Sequence, residues 1–424
     1  MQISKIYSFI GILMCFVLII GCKKDGGENE KEKNKTNLPN FSNVDVEKVF
    51  SKEENRIKGE SEVKELIGQY YARVWEKQNL WGGLLVAKGD KILFESYRGF
   101  AQENNQSPID QNTALHVASI SKSLTAMAAL KLVESGKLDL EAEVSSILSG
   151  FPYPGVTVRS LLNQRSGLPK YEYFIEKISP EPKQLQKKFL SNEDILDMLI
   201  EYKPEMARAP DTGFMYCNTN YAMLALIIEK ITQKPFPVAM REMVFEPLKM
   251  DKSYIFQEKD TLLASKSFYS RGPKLYPYDR LDLIYGDKNV YTTPRDLHRF
   301  SVAMYSPDFL RKDLMDQVFM PYSNERPGVN NYGLGFRMKV FDENSKLTYH
   351  NGWWHGTNSV FGHLLNSKVT IVAIGNKYSQ SVYSALALSA LFENFPYERE
   401  KLDKSISRTD NLGTYEIPGV TVGE

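Results

Sequence analysis

Cysteine is nearly absent from this chain, with three residues in 424, at positions 15, 22 and 217. The first two fall in or just after an N-terminal apolar run, so the folded part would hold one thiol and no internal disulfide. A chain of this length can rely on a buried core instead. Histidine is scarce too. The five His show no ligand spacing such as His-x3-His, and no metal centre is predicted. Neither sign of charge is in excess: 53 Lys plus Arg face 52 Asp plus Glu, which gives no reason to expect nucleic acid or an anionic surface as partner. No internal repeat is found.

The N-terminus bears on location. Residues 1–5 are short and carry one positive charge, and residues 6–21 form an apolar run. That run is shorter than the ~20 residues of a spanning helix, so 1–21 is predicted to be a signal peptide. Its ending, Leu18-Ile19-Ile20-Gly21-Cys22, looks like a bacterial lipobox, in which Cys22 is lipidated and becomes the first mature residue. Dual acylation anchors a protein stably to a membrane. The alternative is a single uncleaved anchor. Either way the remainder is expected in the cell envelope outside the cytoplasm, periplasmic or at the cell surface. Residues 22–60, rich in Lys, Glu, Asn and Gly over 23–43, are predicted to be a flexible tether.

Three short motifs carry candidate chemistry. In Ala118-Ser119-Ile120-Ser121-Lys122, a hydroxyl and an amine stand three residues apart where a helix over 120–135 is predicted to begin. That helix carries a stripe of Leu124, Met127, Leu130 and Val133. Side chains at i and i+3 share a helix face, so Ser119 and Lys122 can touch. A serine becomes a useful nucleophile when a base takes its proton, and a lysine can be that base when its surroundings favour the neutral amine. The plain alternative is an exposed first turn with Ser119 as N-cap. Ser61 and Lys64 share the spacing but lie in a charged stretch that reads as a solvated face, whereas Ser119 sits between apolar segments.

The second motif is Tyr216-Cys217-Asn218, after the turn signal Ala209-Pro210-Asp211-Thr212-Gly213 and before a predicted helix over 221–232. A phenol mounted there can shuttle a proton. The Asn218 amide can bind a substrate amide and hold Lys122. Tyr322-Ser323-Asn324 has the same pattern without a following helix. The third motif, His350-Asn351-Gly352-Trp353, falls between strand-like segments. Gly352 would let substrate approach the backbone, the Trp353 N–H could face an oxyanion, and His350 offers hydrogen bonds or charge.

In this order the motifs resemble those of the serine β-lactamase and penicillin-binding family, in its class C branch, which carries Ser-x-x-Lys, Tyr-x-Asn and Lys-Thr-Gly or His-x-Gly. Segments 160–169, 245–250, 286–291 and 332–335 resemble the family as well. The resemblance implies Ser119 as acylated nucleophile, with Lys122 and Tyr216 as the catalytic base system. Asn218, His350, Gly352 and Trp353 would bind substrate, the N–H groups of Ser119 and Trp353 would form the oxyanion hole, and no cofactor is implied. The implied substrate is an amide, D-amino-acid peptide or ester. His350 and Asn351, where β-lactamases usually keep Lys and Thr or Ser, weigh against true β-lactamase activity. That activity, or a non-catalytic binding module using Trp353 and Trp354, is the alternative. Cys217 is expected to pack as a small hydrophobe.

The implied fold is α+β and β-lactamase/transpeptidase-like: an antiparallel sheet flanked by helices, plus a mostly helical lobe. The pattern predicts a helix over 63–76, a hairpin of 83–87 with 92–97, helices over much of 120–300, strands again from about 333, and an apolar helix over 382–393. The hydrolase domain would span 61–396, with 397–424 a loosely packed or disordered tail.

Overall fold

A computed structural model describes residues 43–103 and 107–407. The predicted signal peptide, Cys22 and most of the predicted tether lie outside the described residues. Among the described residues no helix is long and apolar enough to cross a membrane.

Among the described residues ten strands form two sheets. In chain order they are β1 (Gly82–Lys88), β2 (Lys91–Arg98), β3 (Leu115–His116), β4 (Tyr254–Ile255), β5 (Val290–Thr292), β6 (Asn330–Tyr332), β7 (Arg337–Val340), β8 (Lys346–Trp354), β9 (Thr357–Leu364) and β10 (Val369–Gly375). The large sheet is ordered β2-β1-β10-β9-β8-β7-β6 and every neighbouring pair is antiparallel. β3, β5 and β4 form a small second sheet, of which β4 and β5 lie inside the region read from sequence as helical.

The central strands are apolar on both faces because both are covered. Leu85, Ala87, Val372 and Ile374 point into the main core, with Leu124 and Met127. Their alternates Leu84, Val86, Ile371 and Ala373 pack on the other face with Ile67, Tyr70 and Trp75. The latter three come from α1 (Glu60–Tyr70) and the π-helical turn Tyr71–Glu76 that continues it.

Helix α2 (Ser121–Glu134) runs through the main core. The sequence suggested a one-sided apolar stripe, but every residue from Ser121 to Leu132 is buried. Its polar side chains are satisfied by neighbouring backbone: the Ser123 hydroxyl donates to Gly335 O (2.7 Å), the Thr125 hydroxyl donates to Gly286 O (2.8 Å), and Ser121 Oγ accepts from Val290 N of β5 (3.0 Å). Buried polar groups need such partners, and here each bond fixes neighbouring backbone against the helix that carries Lys122.

Both ends of the fold reach past the boundaries read from sequence. Val44, Val46 and Phe50 are core residues, and Val44 N donates to Pro247 O at 3.0 Å, so the segment 43–60 is docked and not a free tether. At the other end α3 (Tyr171–Phe174), α4 (Asn218–Thr232), α5 (Pro294–Ala303) and the 3-10 helix Gln380–Leu391 are followed by α6 (Pro396–Ser407). The last buries Leu402 completely and ion-pairs Glu398 with Lys339 of β7. The described part of the predicted tail is therefore folded.

Candidate active site

The Ser119 backbone is set by a sharp corner. β3 ends at His116, Ala118 takes a left-handed φ of 47°, and the 3-10 turn Ala118–Ile120 runs straight into α2. Lys122, fully buried one turn along, donates from Nζ to Ser119 Oγ at 3.1 Å and to the Asp287 carbonyl at 2.9 Å. The second copy of the spacing behaves as its charged context implied. Ser61 is exposed on α1, and Lys64 pairs with Glu60 at 2.8 Å.

The second motif is held by the segment 160–169. Gln164 Oε1 accepts from Cys217 N (2.9 Å) and Asn220 Nδ2 (2.7 Å), while Gln164 O accepts from Met215 N (2.9 Å). These bonds put the Tyr216 ring 5.0 Å from Lys122 Nζ. Cys217 is buried, and burial pushes its thiol up to about 12, as befits a packing residue. Asn218 differs from expectation. Its Nδ2 donates to Glu172 Oε1 at 2.5 Å, and Lys122 is held by Asp287 instead.

The third motif is the free end of β8. β7 stops at Arg337 opposite Tyr349, so residues 350–354 pair with β9 on one side only. Trp353, half exposed, lies on that stretch. Gly352 is required by close approach of protein to protein: a Cβ there would sit 2.2 Å from Val117 O and 2.3 Å from Ser359 Oγ. The room expected for substrate is taken by the turn before Ser119. That contact packs the β8 backbone at Gly352 against the turn that precedes Ser119.

His350 is a second correction. It is fully buried; Nδ1–H donates to Asn351 O (2.7 Å), which leaves Nε2 to accept from the Tyr332 hydroxyl (3.1 Å). Burial, with Arg337 and Lys122 nearby, holds its pKa well below the usual imidazole range. It therefore offers no charge, and both nitrogens are engaged within the protein.

Three residues at the site escaped the sequence reading. Arg337, at the first position of β7, places Cζ 4.5 Å from the Tyr216 ring centre. Asp287 is fully buried, its carboxylate accepting from the Tyr171 hydroxyl (2.7 Å) and pairing with Lys288 (3.3 Å). Glu172 of α3 contacts Asn218, and burial raises its carboxyl above the usual range. A charge inside a short aromatic run, Tyr171-Glu172-Tyr173, was the one available signal for the last. Beside the cleft, Asp282 accepts from Trp354 Nε1 (2.6 Å) and His355 Nε2 (2.9 Å) and so fixes the corner after β8. Asp279, Asp282 and His355 put potential ligand atoms within 4.8 Å of one another, and Asp282 spends its oxygens on Trp354 and His355.

The Beta-lactamase family model matches residues 67–391. The chain belongs to the beta-lactamase family. Penicillin-binding protein 4* of Bacillus subtilis (strain 168) is 30% identical over 337 residues, covering 74% of this chain and 72% of its own. A penicillin binding protein from Bacillus halodurans superposes with a TM-score of 0.65 at 24% identity, covering 75% of this chain and 98% of that one. The D-amino acid amidase of Ochrobactrum anthropi SV3 gives 0.62 at 20% identity, covering 81% and 99%. The beta-lactamase/transpeptidase-like fold read from sequence is thereby shown, and the chain is a serine hydrolase of the acyl-enzyme type.

Proposed function

We propose that this hydrolase acylates Ser119 with an amide, D-amino-acid peptide or ester and then releases the acyl group to water. The observation that carries the reading is the 3.1 Å hydrogen bond between Lys122 Nζ and Ser119 Oγ, braced by Asp287 O. Ser119 loses its proton to the Lys122–Tyr216 pair as Oγ attacks the carbonyl carbon. The oxyanion lies against the N–H groups of Ser119 and Trp353, where each donor is worth about two to three powers of ten in rate. Tyr216, with cations at 5.0 Å and 4.5 Å from its ring, passes the proton to the leaving group and later takes one from the deacylating water. Asn218 would bind the acyl side of the substrate.

A β-lactamase is the less favoured reading. Asn351 supplies no hydroxyl where one would grip a β-lactam carboxylate, and His350 is uncharged and occupied. The Ochrobactrum anthropi neighbour is, by its name, a D-amino acid amidase, which supports an amide substrate. We place the reaction outside the cytoplasm, with the enzyme held by lipid on Cys22; the lipobox-like ending of the apolar run supports this.

The test is intact-protein mass spectrometry after incubation with a fluorophosphonate and, separately, a penicillin. An adduct on the native chain that is absent from Ser119→Ala is the expected result. Labelling by neither reagent would overturn the activated serine and favour a binding module.

A further inference from the structure

Tyr216 sits on chain with no regular structure of its own, since residues 203–217 run without helix or strand from the helix Asn192–Tyr202 to α4. Gln164 takes the N–H groups of Met215 and Cys217. The N–H of Phe214 goes elsewhere: it donates to Glu325 Oε1 at 2.5 Å, 111 positions away. The other oxygen, Glu325 Oε2, accepts from Arg165 Nη1 at 2.9 Å. Arg165 follows Gln164 in the chain, and each of its guanidinium nitrogens donates to the Tyr216 loop or to the segment 322–325. Nε and Nη2 reach Asp211 Oδ1 (2.6 Å) and Asp211 O (2.8 Å), and Nη1 also reaches Tyr322 O (3.0 Å). Asp211 N returns a bond to Arg165 O at 2.8 Å, which holds Asp211 in a left-handed conformation of φ 60°. Phe214 packs on Tyr332 with ring centres 5.6 Å apart, and Tyr216 meets the same ring edge-on at 6.3 Å.

Stability does not account for this bridge. The acids are 76% exposed at Asp211 and 33% at Glu325, and ion pairs open to water contribute little. Position is another matter, because misplacing a reacting group by about 1 Å costs up to about a hundredfold in rate. We infer that Arg165 and Glu325 are positioning residues for Tyr216: they clamp its loop to the segment 322–325 and so set where the phenol meets the leaving group. The inference rests on the proton-transfer role given to Tyr216 above and adds to it. Both residues act through Phe214 and Asp211, not on the reacting atoms.

The test uses two esters of one acid, p-nitrophenyl butyrate and ethyl butyrate. p-Nitrophenolate leaves without a proton, whereas ethoxide needs one from Tyr216. In Glu325→Ala, kcat/KM for the ethyl ester should fall about ten- to a hundredfold further than that for the p-nitrophenyl ester, in the direction set by Tyr216→Phe. Its Tm should move by no more than about 3 °C. Glu325→Gln keeps an acceptor for Phe214 N and should recover most of the loss. Arg165→Lys lacks the fork that reaches Asp211 and Glu325 together and should behave like Glu325→Ala. A Glu325→Ala chain that slows both esters equally, or neither, overturns the inference. Should the native chain turn over neither ester, the rate of Ser119 labelling by a fluorophosphonate is read instead. A loss of about tenfold or more in Glu325→Ala, restored in Glu325→Gln, is then expected, and an unchanged rate overturns the bridge. An unchanged ester ratio in Tyr216→Phe would overturn the role of Tyr216 and the inference with it, and absence of the label the hydrolase reading itself.

Discussion

The side chain that Gly352 lacks would collide with the carbonyl oxygen of Val117, 2.2 Å from an added Cβ. Val117 O also accepts the Ser359 hydroxyl at 2.7 Å, so the turn before Ser119 is tied to β9 while it presses on β8. Backbone must move to admit any Cβ at 352. Gly352→Ala is therefore expected to lower kcat by about a hundredfold or more, the loss seen when an oxyanion donor is removed. Fluorophosphonate labelling rates beside circular dichroism would check it, and an unchanged rate would refute it.

Ser119→Ala and Lys122→Ala should both abolish turnover of the substrate classes named above. They differ in folding. Ser119→Ala removes a hydroxyl at the cleft, whereas Lys122→Ala opens space in a fully buried position and leaves Asp287 O without its donor. A lower Tm is expected for the lysine variant alone, measured by calorimetry.

Acid should destabilise the protein above the range where carboxylates titrate. His116 is buried and its pKa is lowered to about 4, mainly by desolvation; His363 is lowered to about 3 for the same reason. Below pH 6.5 the unfolded chain takes up protons that these folded imidazoles refuse, so stability falls with pH until the folded values are reached. From pH 7 to 5 each contributes a loss of roughly 2 kcal/mol. The raised carboxyls of Glu172, Glu229 and Asp296 act in the opposite direction. Urea unfolding at the two pH values should show a shallower difference, by about that 2 kcal/mol, in His116→Gln. An identical difference in the variant would disprove the assignment.

Leu402→Ala should cost about 2–5 kcal/mol, because the leucine is fully buried in α6 against the outer face of the sheet. Truncation after residue 396 should do more, since it also strands Lys339 without Glu398. Thermal denaturation checks both. A truncated chain with native Tm would restore the reading of 397–407 as a loose tail.

Much of the site was legible in the sequence because its signals are local. Ser119 and Lys122 are one helical turn apart, and the apolar context on either side separated them from Ser61 and Lys64. The burial of Cys217 and its inertness followed from residue type. Asn218 and His350 were also picked out, yet their partners were misjudged. Asn218 meets Glu172, and His350 meets Tyr332, 18 positions away on another strand.

What the sequence determined by itself is the set of chemical groups, their order and the family they belong to, because periodicity and short spacing act within a few residues. Tertiary structure alone decided which groups meet. Lys122 is fixed by the Asp287 carbonyl 165 residues away, and Gly352 serves the turn at Val117 instead of the substrate. Contacts of that separation depend on how the sheet and the helices close around α2, and on which buried polar atoms find partners when they do. No local pattern encodes this, which is why Glu172, Arg337 and Asp287 emerged only with the fold.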